Sequence, residues 1–263
     1  MRILTRSQTL GMLSALLILG APMMTSATTV TAAFNAGDLI KGSGAAVYYF
    51  APNGKRYVFP NEKTYFSWFK DFGTVKQIPD EALSAILIGG NVTYKPGSKM
   101  VKITTDPKVY AVDQGGVLRW VQTPQLAETL YGLAWKEQIQ DLPDPFFINY
   151  RIGTTIVLSA DFVPTSIQSA TPTITQDKQI DESNLYLTIG SVNIGFVPNS
   201  ITVKRGTTIT WTNMDVAVHQ ITGVGWESGL LTNGMSYART FTQPGSYSYS
   251  EPHASMRGVV NVL

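Results

Sequence analysis

The chain has 263 residues, 44% of them hydrophobic and 14% charged, with a formal net charge of +2. That composition excludes a long disordered polyelectrolyte and a charge-rich coiled coil, and it leaves no electrostatic footprint for nucleic acid. With no cysteine and two histidines, it also excludes disulfides, thiolate zinc knuckles, iron–sulfur clusters, thiol nucleophiles and His-rich metal cages.

The first thirty residues read as an export leader. Arg2 and Arg6 give a positive start, and Leu10 to Leu19 is an apolar run too short to span a bilayer comfortably. Small residues follow, Thr25-Ser26-Ala27 and then Thr31-Ala32-Ala33, so a signal peptidase is expected to cut after Ala27 or after Ala33. The competing reading is an uncleaved N-terminal anchor. Loss of Arg2 and Arg6 brings the formal charge to about zero. No later segment is long and apolar enough for a membrane span. The expected location is extracytoplasmic: periplasmic, secreted or on the cell surface.

Residues 34–159 form a duplicated α+β hairpin–helix module, with copies at about 36–97 and 98–158. Val47 to Phe50 returns as Val109 to Val112, and both are followed by turns, Pro52-Asn53-Gly54 and Gln114-Gly115-Gly116. Asn-Gly and Gly-Gly supply the positive φ angles of tight hairpins. The return strands are Arg56 to Phe59 and Leu118 to Val121. Each copy is expected to run hairpin, short helix, second short helix, strand. Tyr65, Trp68, Phe69 and Phe72 recur at one-face helical spacing. Thr123 and Pro124 read as N-cap and first helical position, and Asp80 as a cap for a helix starting at Glu81. The aromatics read as core; the functional alternative is a carbohydrate or cell-envelope platform. Carboxylate pairs such as Asp141 with Asp144, or Asp80 with Glu81, read as caps rather than glycosidase acids. Lys55, Arg56, Lys63 and Lys70 read as a solvated face. Asn91-Val92-Thr93 fits the N-glycosylation pattern.

Hydrophobic periodicity vanishes over 160–184, a Ser/Thr/Pro-rich stretch read as a semi-extended linker to a tethered second domain. From residue 185 the pattern becomes short alternating strands: Ile201 to Val203, Thr208 to Trp211, Tyr237 to Phe241, Ser246 to Ser250 and Val259 to Leu263. Several strands in so short a span predict an all-β Greek-key sandwich. There is no nucleophile elbow, P-loop or dinucleotide fingerprint, and no enzyme is expected. Asp215 with His219 and a serine can be drawn as a triad, but the spacing suits metal ligation better.

The run Gly195-Phe196-Val197-Pro198 through Trp211-Thr212-Asn213, then Met214, Asp215 and His219, resembles the opening of plastocyanin- and amicyanin-like cupredoxins. Ser228, Gly234, Phe241 and Pro244-Gly245 keep the family's spacing, and Glu251-Pro252-His253-Ala254-Ser255-Met256 resembles its ligand loop. The resemblance implies His219, His253 and Met256 as copper ligands, and a cysteine that this chain lacks. Counting back from His253 puts Ser250 at the cysteine place; counting forward from Gly245 puts Glu251 there, because the loop is one residue short. One residue flips a strand side chain to the other face. Without a thiolate the blue copper site, His₂Cys with axial Met, is not supported. Two arrangements remain. Met256 inside gives an N,N,S trap for Cu(I); Glu251 inside gives a non-blue His₂-carboxylate site. Met214 is a further thioether, more often a packing residue. The expected function is copper handling or storage by an exported protein. A metal-free envelope scaffold and an electron carrier are the alternatives.

Overall fold

The structure, a computed structural model, describes residues 33–263. The expected leader, apart from Ala33, lies outside the described residues. The first copy runs β1 (Leu39–Lys41), β2 (Tyr48–Phe50), β3 (Arg56–Val58), α1 (Glu62–Trp68), β4 (Val75–Gln77), α2 (Asp80–Ala85) and β5 (Ile88–Asn91). The second runs β6 (Met100–Ile103), β7 (Tyr110–Asp113), β8 (Val117–Trp120), α3 (Pro124–Tyr131), β9 (Ile139–Leu142), a 3₁₀ turn at Asp144–Asn149 and β10 (Arg151–Ile152). The sheet orders are β4-β1-β2-β3-β5 and β9-β6-β7-β8-β10. The two copies therefore share one topology, with an antiparallel central meander flanked by two parallel strands.

Local chemistry explains the helices. Asn61 caps α1 by accepting from the Thr64 N–H at 2.8 Å, and Thr123 caps α3 by accepting from Leu126 N–H at 3.1 Å, with Pro124 in the first turn. Two details differ from the sequence reading. Asp80 is not a cap: α2 begins at Asp80, whose carboxylate instead accepts from the Ser43 N–H and hydroxyl at 2.8 and 2.6 Å. α1 ends at Trp68, so Phe72 lies beyond the helix and reaches the same cluster by stacking on Tyr65 at 4.4 Å. The strands β4 and β9, inserted between the two helices of each copy, carry too few buried apolar residues for periodicity to reveal them. The aromatics are largely core, with Tyr65 and Phe59 buried and in edge contact. Lys55, Lys63 and Lys70 are solvated, but Arg56 lies over the Tyr48 ring.

The segment 160–184, expected as solvated chain, is folded onto the module. It carries α4 (Pro164–Ala170) and α5 (Ile174–Asp177). Phe162 is buried in the core of the second copy and Ile174 in that of the first. These isolated apolar residues have no period because each plugs a different core. Asp177 is buried; its carboxylate accepts from Gly115 N–H at 2.8 Å and the Thr93 hydroxyl at 3.3 Å. One side chain thereby ties both copies together. In the same seam the Asn91 amide donates to the Asn149 side chain at 3.0 Å, so the glycosylation-like triplet sits within the module.

The C-terminal sandwich contains β11 (Asn184–Ile189), β12 (Phe196–Val197), β13 (Ser200–Val203), β14 (Thr208–Asn213), β15 (His219–Gly223), β16 (Trp226–Leu231), β17 (Ser236–Thr240), β18 (Gly245–Ser250) and β19 (Arg257–Val262). Its sheets are β12-β11-β14-β17 and β13-β19-β18-β15-β16. Trp211, Ile209, Ile221, Tyr249 and Val260 fill the space between them. The strands β15 and β16 escaped the periodicity reading. β16 is an edge strand with weak alternation, its Leu230 exposed.

The sandwich is not merely tethered. Val197 joins Phe34, Ile40, Phe50, Leu83 and Ile86 of the first copy in one buried cluster. Gly54, at φ +71°, brings its turn so close to Tyr186 that an added Cβ would lie 2.7 Å from the tyrosine Cβ.

Asp177→Ala strands the buried Thr93 hydroxyl and the half-buried Gly115 N–H and is expected to lower the unfolding free energy by about 1–3 kcal/mol in urea titrations. Asp177→Asn, which keeps an accepting oxygen, should lose less. Burial raises the Asp177 carboxyl above its ordinary value. Its contribution to stability is therefore fullest at acid pH, below the unfolded value, and falls as pH climbs through the raised folded value.

Candidate metal centre

The candidate ligands lie on β15, which follows β14, and on the loop between β18 and β19; β15 and β18 are neighbours in one sheet. Strand parity sends Ile209, Trp211 and Asn213 of β14 inward. Asn213, fully buried, donates its amide to the carbonyls of Ala217 and Leu231, each at 2.8 Å, and accepts from the Asp215 N–H at 2.8 Å. The bonds to Ala217 and Asp215 fix the loop that delivers His219, and the bond to Leu231 ties Asn213 to the end of β16. A buried side-chain amide so fully satisfied acts as a rigid bracket. The sequence reading noted Asn213 only as part of a resemblance; its signal was an amide on the inward parity of a core strand.

His219 opens β15 and is only 3% exposed. Its Nε2 lies 3.0 Å from the Asp215 carboxylate, four residues back. That bond orients the ring and assigns Nε2 to Asp215, which makes Nδ1 the nitrogen that can ligate. Downstream, the Ser228 hydroxyl accepts from Ile221 N–H at 2.8 Å where the β15–β16 register shifts.

On the opposite strand, Tyr247 packs against the core, and Tyr249 and Glu251 are buried. Inward parity thus runs unbroken through β18 into the loop. Glu251, 4% exposed, continues the tyrosine face, while Ser250 is half-buried on the alternate parity and pairs with Arg257 in β19. The aromatic floor beneath is tight: Tyr249 meets Trp211 at 5.2 Å and Phe196 at 4.8 Å. Burial pushes the Tyr249 hydroxyl well above its ordinary value.

The loop closes on itself. Glu251 N–H donates to the Met256 carbonyl at 3.1 Å, and the Glu251 carboxylate accepts from His253 N–H at 2.8 Å. Met256 is fully buried in the sandwich core. His253, by contrast, is exposed. Among the described residues no three of His, Cys, Asp or Glu come close enough to hold a metal ion. Met214 is 41% exposed and lines a groove with Gly54, Tyr186 and Thr212 rather than packing in the core.

The two-sheet sandwich, with a buried histidine and a His-x-x-Met loop but no cysteine, has the architecture that the sequence resemblance implied. The family model for copper binding proteins of the plastocyanin/azurin family matches residues 183–263, and through that domain the chain belongs to the family. Amicyanin of Paracoccus versutus is 29% identical over 121 residues, covering 43% of this chain and 87% of amicyanin. Plastocyanin of Scenedesmus fuscus is 34% identical over 83 residues, covering 26% of this chain and 85% of plastocyanin. Among solved structures, the purple cupredoxin from Nitrosopumilus maritimus is 26% identical, with a TM-score of 0.28 over 30% of this chain and 98% of its own.

The parity of β18 makes a direct prediction. Glu251→Cys places sulfur on the face of Tyr247 and Tyr249 and is expected to give intense visible copper–thiolate absorption on adding Cu(II). Ser250→Cys is expected to stay pale; the reverse result would show that the loop shifts register.

Proposed function

We propose that this is an exported, non-enzymatic protein whose C-terminal domain binds copper at a cysteine-free, non-blue site, serving copper handling or storage. The observation that carries the reading is the His219–Asp215 bond at 3.0 Å. Metal-ligating histidines characteristically give their second ring nitrogen to a carboxylate, which fixes the tautomer and raises ligand basicity. Here the arrangement is buried at one end of a domain whose family binds copper.

His219 and Met256 are the inward donors, with Glu251 at the place of the family's thiolate and His253 on the rim. Imidazole suits both copper oxidation states, thioether favours Cu(I) and carboxylate favours Cu(II). Such a set makes an open site that holds and releases cargo copper. It lacks the covalent sulfur bond on which blue-copper electron transfer depends, so the electron-carrier reading has the least support.

A second reading, a metal-free envelope scaffold, draws support from two observations. No group of three His, Cys, Asp or Glu residues forms among the described residues, and the Glu251 carboxylate already accepts from His253 N–H. Fold alone does not decide between the two.

Calorimetric titration of the whole exported chain with Cu(I) and with Cu(II) separates them. Copper binding is expected to weaken at least tenfold in His219→Ala, and a hundredfold excess over Kd should stabilise the wild type by about 2.7 kcal/mol. Absence of heat, with unchanged melting in both oxidation states, overturns the copper reading and leaves the metal-free one.

A further inference from the structure

We infer that the signal peptidase cuts after Ala27 and that Thr28 to Ala33 stay on the mature protein; this rests on the export reading above. Both sites offer small residues, and the sequence does not choose between them. The fold does. Ala33 forms a parallel bridge with Ser200 on β13, the edge strand of the five-stranded sheet. Two residues on, the Asn35 side chain accepts from Thr202 N–H at 2.7 Å. The chain from Ala33 to Asn35 thus covers an edge whose backbone donors otherwise face solvent or another chain.

Between those contacts, Phe34 is 1% exposed and meets Phe50 edge-on at 4.9 Å. It lies in the cluster, shared with Val197, that fastens the sandwich to the first copy. A cut after Ala33 deletes the bridging residue and puts a charged α-ammonium on this buried residue. The nearest carboxylate in sequence, Asp38, is already engaged by Asn35 N–H and by the Lys76 ammonium, both at 2.6 Å. A start at Phe34 thus removes the strand-edge contact, and its new ammonium competes with the Asn35 N–H and the Lys76 ammonium for Asp38. A cut after Ala27 puts the new charge six residues upstream and leaves the bridge whole.

The test is intact-mass and N-terminal analysis of the full chain after export. A start at Thr28 is the expected result. A start at Phe34 overturns the inference and leaves the export reading standing; a start at Met1 on the exported chain overturns cleavage altogether and leaves the uncleaved anchor. An independent measurement compares the melting of chains that begin at Thr28 and at Phe34. The shorter chain should melt at least 2–4 °C lower, the shift that about 1 kcal/mol produces in a protein of this size. Equal melting temperatures remove the physical reason for the choice and overturn it.

Discussion

The alternation of side chains along β18 is the constraint on which the candidate site depends. Tyr247, Tyr249 and Glu251 share one face, and two of the three are buried. The tyrosines cannot leave that face without breaking contacts to Phe241, Phe196 and Trp211. The loop that follows therefore starts with a carboxylate pointing inward. A thiolate there would be a soft, covalent copper ligand; a carboxylate is hard and accepts hydrogen bonds. Glu251 does the latter, holding the His253 N–H and shaping the turn from within. The residue at this parity position therefore helps to decide how the loop is held.

His219 is treated differently from His253. The first is buried and bracketed twice, by Asp215 on its ring and by Asn213 on its loop. The second lies on the exposed turn of the Glu251–Met256 loop. One histidine is thus held rigidly and the other is open to solvent. The same division is compatible with a domain whose histidine bracket persists while its surface loop serves contact with other molecules.

The duplicated module is continuous with the sandwich rather than appended to it. Each copy uses its hairpin-turn glycine as a docking point. Gly54 presses on Tyr186 at the start of the sandwich, and Gly115 presents its N–H to Asp177 of the folded connector. A side chain at Gly54 would push Tyr186 away. Phe34 and Val197 complete the seam from the other side. The module therefore fixes how the copper-family domain is held.

Much of this was legible in the sequence. The doubled strand–turn–strand pattern marked two copies, and turn glycines, Thr123 and Pro124 marked element ends, because such signals are local and depend on backbone conformation. The period-two runs and the ligand-loop resemblance likewise marked the cupredoxin sandwich. What the sequence left open were matters of distance in space. A one-residue deletion made Ser250 and Glu251 equal candidates by counting; in the fold Glu251 is buried on the parity of Tyr249, and Ser250 is half-buried on the other. Residues 160–184 read as linker because Phe162 and Ile174 have no periodicity, yet each is buried in a different core. The sequence by itself determined the copies, the sandwich and the missing thiolate, because residue identity and short-range period carry them. Only the tertiary structure decided which side chain turns inward and how the domains join, because those outcomes depend on contacts between residues far apart in the chain.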